Sequence, residues 1–273
     1  NAHRREFFSN SSFELKQTLR GHDGIIMSIY IHTYGALQTL YTGSWDKTVI
    51  SWNPSSGEAL CRYIGHEGYI ASMVVDNHNE ILYTSSSDKT IRAWVVKTGE
   101  QLCVFRGHNS HVQSIQLIHR SPTGNLPKDE APMEEEEKEE EKLPETEGKR
   151  VTFYQASFFA KEERKKKLFD VLVSASADGT VRLWNVLNGE CIQCFHCGDS
   201  VRVIELRDNF LYAIASRKIS VFNLDVDEPT DVASLHKHLT AHRDVIWALK
   251  VISLNGAAYA LTGSFDRSII LWD

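Results

Sequence analysis

A histidine, a hydroxyl residue, an aspartate and a tryptophan recur four times in this chain, always in that order. The sets are His22, Thr42, Asp46 and Trp52; His66, Thr84, Asp88 and Trp94; His108, Ser174, Asp178 and Trp184; and His242, Thr262, Asp266 and Trp272. Hydroxyl, imidazole and carboxylate are the ingredients of nucleophilic catalysis. Here, though, they return in register. The hydroxyl-to-Asp step is always four residues and the Asp-to-Trp step always six. Two further clusters carry metal-ligating residue types. The stretch "CIQCFHC" places Cys191, Cys194 and Cys197 at zinc half-site spacing. "HKHLTAH" holds His236, His238 and His242. If the cysteine segment is a strand, residues three apart diverge to opposite faces, and no second Cys pair exists to complete a site. His242 is already committed to a repeated set. No metal site and no cofactor are expected. No Gly-rich phosphate loop and no catalytic carboxylate pair stand out, so the chain reads as a non-enzyme with no small-molecule substrate.

The elements that position these sets follow from the repeat. Each unit carries runs of four to seven residues rich in β-branched and aromatic types, such as "IIMSIYI", "LQTLYT" and "TVISW". Turn residues such as "DKT", "DGT" and "SSGE" separate them. These are short antiparallel strands with tight turns, and nothing has a sustained helical period. The starts read Gly21-His22, Gly65-His66, Gly107-His108 and Ala241-His242, and the ends read Trp52-Asn53, Trp94-Val95, Trp184-Asn185 and Trp272-Asp273. Four such units in register resemble the WD-repeat family, whose units run from a Gly-His start to a Trp-Asp end. That resemblance implies an all-β fold, a β-propeller of four-stranded blades around a channel. It also implies that His, hydroxyl, Asp and Trp form a hydrogen-bonded relay inside each blade. A buried imidazole needs a partner for each nitrogen and a buried carboxylate needs donors, so the sixteen residues above are expected to be structural.

A fifth, degenerate unit lies between Cys191 and Asn223. Its four positions become Gly198, Ala213, Arg217 and Phe222, so it keeps its strands, loses the relay and leans on its neighbours. Five blade units are thus visible, whereas the family's usual ring has seven. "FELKQTLRGH" matches the outer strand before each Gly-His and would close a five-blade ring by pairing with the last unit. "REFFSNSSFE" also aligns loosely with "ISWNPSSGEA", as a remnant of a preceding blade. The chain opens on Asn1 rather than Met, and it reads as a piece of a larger ring.

Composition sets the remaining bounds. Lys+Arg 30 against Asp+Glu 36 gives a net charge of −6, which argues against a surface devoted to nucleic acid or anionic lipid. Five cysteines, sparse and odd in number, point to a reducing intracellular compartment, the cytoplasm ahead of the nucleus. No apolar run is long enough to span a membrane and no signal peptide is evident. Function is therefore expected on a surface. In the family, partners bind the face made by the Gly-His loops and the turns before each Asp. On that face fall Trp45, Tyr69, Trp247 and Phe265, with Met27, Arg202 and Arg217 beside them. Aromatic residues and Arg are common interface anchors. The expected role is an intracellular scaffold that docks a peptide or a partner domain. The alternatives are the substrate-recognition module of a larger ubiquitin ligase or kinase, and an RNA-binding propeller, which would need a basic rim. The Trp-Asp-x-Arg motif by which some such receptors reach their ligase is absent.

The organisation follows. Residues 1–12 form a tail or blade remnant, 13–118 hold two units and the start of a third, 119–168 are an insertion, and 169–273 complete the chain. The insertion contains "PKDEAPMEEEEKEEEKLPETEGK" with four prolines between Pro122 and Pro144. Like charges and few apolar residues predict disorder there, and the family resemblance implies that this loop lies on the face opposite the Gly-His loops. "VTFYQASFFA" is apolar enough to fold back, and "KEERKKK" follows as a basic counterweight. Deleting residues 122–148 is expected to leave the blades folded, since long surface insertions add little closure entropy. Limited proteolysis of the native protein checks this. First cuts within 122–148 agree with it, and first cuts at blade edges contradict it.

Overall fold

The computed structural model describes residues 15–35, 37–76, 78–119, 170–207, 210–224, 234–254 and 257–272. The expected tail and most of the acidic insertion lie outside these residues. The described residues form nineteen strands and no helix, arranged as five antiparallel sheets in chain order. The first sheet holds β1 (Ile26–Tyr34), β2 (Leu37–Ser44), β3 (Val49–Trp52) and β4 (Ala59–Tyr63). The second holds β5 (Ile70–Asp76), β6 (Ile81–Ser86), β7 (Ile91–Val95) and β8 (Gln101–Phe105). The third holds β9 (Val112–Ile118), β10 (Val171–Ser176), β11 (Thr180–Asn185) and β12 (Cys191–His196). The fourth holds β13 (Val201–Arg207), β14 (Phe210–Ala215), β15 (Lys218–Asn223) and β16 (Ser234–Leu239). The fifth has three strands, β17 (Ile246–Leu254), β18 (Ala257–Ser264) and β19 (Ile269–Trp272). The all-β, propeller-type reading of the sequence is what the structure shows, and the degenerate unit forms a complete four-stranded sheet, the fourth, without a relay.

Sheets stack in series, with β1 on β5, β5 on β9, β9 on β13 and β13 on β17. Four apolar clusters fill the four gaps between them. A second strand such as β6 or β10 is covered on both faces, so all six of its residues are buried. That is why "ILYTSS" and "VLVSAS" read as apolar and small throughout rather than alternating. The two ends of the series are open. Ile29 is 67% exposed and Ile31 61%, whereas their equivalents one sheet on, Met73 and Val75, are each 5% exposed. At the other end Ile269 is 79% exposed, whereas the equivalent Val181 and Ile219 are at 0%. The described residues therefore form an open arc.

Residues 15–20 are not in a strand, yet they run where an outer strand would. A Cβ at Gly57 would strike Gln17, just as one at Gly99 would meet Cys61 and one at Gly189 would meet Cys103. Cys61 and Cys103 belong to outer strands of the sheets before those turns, so Gln17 marks the same place ahead of the first sheet. β19 has no strand beside its outer edge among the described residues.

The four repeated sets make one hydrogen-bonded chain each. His66 Nδ1 lies 2.6 Å from Asp88 Oδ2, His66 Nε2 lies 2.8 Å from Thr84 Oγ1, and Trp94 Nε1–H donates to the same hydroxyl at 2.8 Å. The sets of His22, His108 and His242 repeat this geometry, with each of these distances between 2.7 and 2.9 Å. Asp can only accept, so Nδ1 carries the ring proton, Nε2 accepts from the hydroxyl, and the hydroxyl accepts from the indole. Each Asp also clamps a turn. Asp178 accepts from the backbone N–H of Asn109 and from both the N–H and the hydroxyl of Thr180. The next turn position has positive φ and is filled by Lys47, Lys89, Gly179 or Arg267. Three of these four are not glycine, so the clamp holds a conformation that L-residues disfavour. The Gly before His has a different reason. A Cβ at Gly65 would lie 3.0 Å from the Trp94 ring, and one at Gly21 2.8 Å from Trp52.

Where the relay is missing, apolar contact replaces it. Ala213 and Phe222 are buried, and Phe222 packs on Phe195 with centroids 4.4 Å apart. The fourth sheet shares its apolar cluster with the third. Cys197, four residues ahead of β13, takes the histidine position by register, and not Gly198 as the alignment indicated. The loop there is one residue shorter, and Cys197 is buried. The hairpin is shorter too, with Ala215 paired to Lys218 across Ser216 and Arg217.

Burial pushes the Asp178 carboxyl up, but bonds from Thr180, the Asn109 amide and His108 outweigh it and hold it at about 2. Asp46 is likewise held at about 2 by Thr48, His22 and the Asp23 amide against its burial. Burial lowers the pKa of His108 despite the pull of Asp178, which keeps the ring neutral and able to accept. Folded carboxyls below their usual 3.8 stabilise the fold above that pH, and this contribution is lost as pH falls toward 2. Asp178→Ala is expected to destabilise the fold by about 2–4 kcal/mol, because it strands a buried imidazole and the turn amides. Arg217→Ala, on the relay-free hairpin, should cost less than about 1 kcal/mol. Urea denaturation of both variants checks this, and equal losses would contradict the relay's role.

Candidate partner-binding face

One device recurs at the relay-turn end of every inner strand. The register of β1, β5, β9, β13 and β17 against its neighbour skips one residue near its start: Met27, Ala71, Gln113, Arg202 and Trp247. Each skip is a β-bulge, which re-aims one side chain and interrupts the ladder. The turns before the relay aspartates meet the residues ahead of these strands by backbone bonds. Trp45 N–H donates to Ile25, Ser87 to Tyr69, Ala177 to His111 and Phe265 to Val245. One end of all five sheets thus presents bulge residues beside hairpin turns.

The predicted aromatic residues come together there in two groups. The Trp45 ring stacks on Tyr69 across the first and second sheets, with centroids 5.6 Å apart and planes at 9°. Tyr69 meets the edge of His111 on the third sheet at 5.9 Å. At the far end Trp247 packs on Phe265 at 5.1 Å, and the Arg202 guanidinium lies 4.2 Å above the Trp247 ring. Gln113 donates to Ser200 at 3.4 Å and bridges the third and fourth sheets between the groups. Trp45 is 55% exposed, Trp247 50% and Phe265 61%, and Met27 also faces solvent. Tyr69 is half-buried by its neighbours and Arg217 is exposed on its hairpin. With the arc open, Trp45 and Trp247 sit in separate groups and do not form one sector.

The charge of this end is mixed. Asp23, Glu67 and Asp199 alternate with Lys47, Lys89, Arg243 and Arg267, all exposed. No basic rim of the kind RNA binding needs is present among them.

The metal-ligating clusters resolve differently from each other. A bulge in β12 pairs Trp184 with Cys191 and Arg182 with Cys194. Cys191 and Cys194 therefore share a face, contrary to strict alternation, because the bulge absorbs one residue. Among the described residues they do not join a third metal-ligating side chain. A bulge at His236 in β16 separates it from His238, which lies 3.1 Å from the Ser220 hydroxyl. Sequence reasoning missed another group. Asp76, His119 and Asp170 bring their ligand atoms within 4.8 Å of one another at the opposite end of the sheets. Asp76 Oδ1 caps a turn through the His78 and Asn79 amides, and His119 Nδ1 lies 3.1 Å from Asp170. No spacing rule joins these three residues.

Comparison with known proteins agrees with this geometry. The family described as WD domain, G-beta repeat matches residues 13–53, 57–94, 165–185 and 233–273. It leaves out β13, β14 and β15 of the relay-free fourth sheet and reaches only its outer strand, β16. An uncharacterized WD repeat-containing protein of Schizosaccharomyces pombe is 36% identical over 62 residues, 22% of this chain and 17% of that protein. U3 small nucleolar RNA-associated protein 12 of Saccharomyces cerevisiae is 26% identical over 104 residues, 37% of this chain and 10% of that protein. The human peroxisomal targeting signal 2 receptor is 44% identical over 41 residues, 15% of this chain and 13% of that protein. The chain thus spans less than a fifth of these relatives. The crystal structure of the computationally designed Ika8 protein superposes with a TM-score of 0.60 at 19% identity, covering 93% of this chain and 61% of that one, which speaks for the fold alone. With just over half of its residues matched and four relays in register, the chain belongs to the WD domain, G-beta repeat family.

Proposed function

We propose that this chain is a non-catalytic scaffold that docks a peptide or partner domain on the bulge-and-turn face. WD-repeat proteins typically act as protein-interaction scaffolds, and one similar protein is named a receptor for a targeting signal. The observation that carries the reading is the pair of exposed aromatic groups, Trp45 on Tyr69 and Trp247 on Phe265, on one end of the sheets. Such rings bury apolar area on contact while their polar atoms stay hydrated. The four relay histidines support the non-catalytic reading, since both ring nitrogens are occupied. Among the described residues no helix is long and apolar enough to cross a membrane. An intracellular protein in the cytoplasm or nucleus fits the cysteine usage.

The same reading places the arc within a larger ring. The face of Ile29 and Ile31 has the shape that Met73 and Val75 present to the sheet before them. The face of Ile269 has the shape that Val181 presents to the sheet after it. Blade-like sheets on both sides would cover them. In this 273-residue chain, Ile29→Glu or Ile269→Glu should cost under about 1 kcal/mol, while Val181→Glu should cost more than about 3 kcal/mol. In a longer polypeptide that carries further repeats, the two end variants should become as costly as Val181→Glu. End variants that stay harmless in the longer protein would contradict the larger ring.

For docking, Trp45→Ala and Trp247→Ala are each expected to weaken partner capture by about 2 kcal/mol while shifting stability little. Pull-down of bound proteins beside urea denaturation of each variant checks this. Variants that unfold, or that capture partners as the parent does, would show that these rings serve packing alone.

A further inference from the structure

The five bulge positions are equivalent by register, yet only one of them is charged. Met27, Ala71, Gln113 and Trp247 are neutral, and the fourth sheet places Arg202 there. Its guanidinium lies 4.2 Å above the neighbouring Trp247 ring, which in turn packs on Phe265. Arg202 Nη1 is buried and finds no hydrogen-bond partner, and no ion pair engages the side chain among the described residues. Glu205, on the same strand, pairs with Lys250, and Asp244 accepts from the Val245 amide at 2.7 Å. Asp199, exposed on the loop ahead of β13, forms no ion pair with Arg202 among the described residues.

An unpaired cation held against an indole has two consequences. The cation–π contact fixes the plane of the guanidinium and offsets part of its lost hydration. The donors that the indole cannot satisfy are left for a ligand, since an unmade bond to a partly desolvated charged group is costly. A guanidinium offers a planar fork of donors that matches two oxygens of one carboxylate or phosphate. Beside the fork, the exposed edges of Trp247 and Phe265 offer an apolar seat. No other bulge position supplies both features.

We infer that the partner of this face is a peptide segment that brings a side-chain carboxylate to Arg202 and seats an apolar side chain next to it on Trp247 and Phe265. This rests on the docking role proposed above. Arg217, exposed on the hairpin of the same sheet, lies at the same end and adds positive charge to the approach.

The probe is a library of short random peptides displayed on phage and selected against the full chain. Enriched peptides are expected to carry Asp or Glu beside a Leu, Ile, Phe or Tyr. Synthesised singly, they should bind Arg202→Ala at least about 10-fold more weakly, the scale of a lost charged hydrogen bond. Arg202→Lys keeps the charge and loses the fork, so it should bind at an intermediate level. Arg202→Glu should select Lys- or Arg-bearing peptides instead. Phosphoserine in place of the selected acid separates carboxylate from phosphate. Weaker binding supports the carboxylate, and tighter binding would overturn it in favour of a phosphate. Thermal melting of each variant separates a lost contact from a lost fold. Peptides without acids that bind Arg202→Glu normally but fail on Trp247→Ala would overturn the anionic contact and leave the docking face standing. Peptides indifferent to both substitutions, or no enrichment at all, would overturn both.

Discussion

The structure depends on a carboxylate placed where two loops must meet. In each relay sheet the aspartate accepts an imidazole N–H, a loop amide, a turn amide and a turn hydroxyl; for Asp88 these come from His66, Glu67 and Thr90. Those four bonds tie the loop entering the inner strand to the hairpin between the second and third strands. The imidazole passes the constraint on to the buried hydroxyl and the tryptophan, and so to the third strand. A strand-turn-strand unit of this size has little core of its own. The relay makes each sheet rigid enough to be packed by its neighbours, and it fixes the end of the sheet on which the bulge residues stand.

That division of labour explains why the bulge-and-turn face carries freedom that the relay lacks. Bulge and turn positions project from a framework already satisfied behind them, so Met27, Ala71, Gln113, Arg202 and Trp247 can differ without disturbing a hydrogen bond of the ladder. The fourth sheet shows the limit of the rule. It has lost the relay, and its polar chain is replaced by Ala213 and Phe222 packed into a cluster shared with the third sheet. Stability there comes from the neighbour rather than from within.

Much of the fold was legible because its determinants are local in spacing. The Asp-to-Trp step of six fixes a hairpin, and the hydroxyl at four residues before Asp fixes the strand before it. The position of Trp45 directly ahead of Asp46 was enough to place it on a turn. What the sequence hid has a physical reason in each case. Bulges add one residue without changing composition, so the shared face of Cys191 and Cys194 ran against simple alternation. A shortened loop moved the histidine position from Gly198 to Cys197. The approach of Asp76 to His119 and Asp170 joins two sheets and the two ends of a long insertion, which no periodicity encodes. The stacking of Trp45 on Tyr69 depends on the angle between adjacent sheets, and the open ends depend on what covers them. Neither is a property of a single repeat.

All six tryptophans of the chain take part in this account, four in relays and two on the proposed docking face. Hydrogen exchange of the six indole N–H groups, followed by NMR, therefore tests both halves at once. The account predicts slow exchange for Trp52, Trp94 and Trp184, whose N–H groups are buried on a hydroxyl. Exchange should be intermediate for Trp272 on the three-stranded end sheet, and fast for Trp45 and Trp247. Six indoles that exchange alike, or protection at Trp45 and Trp247 with rapid loss at Trp94 and Trp184, would contradict it.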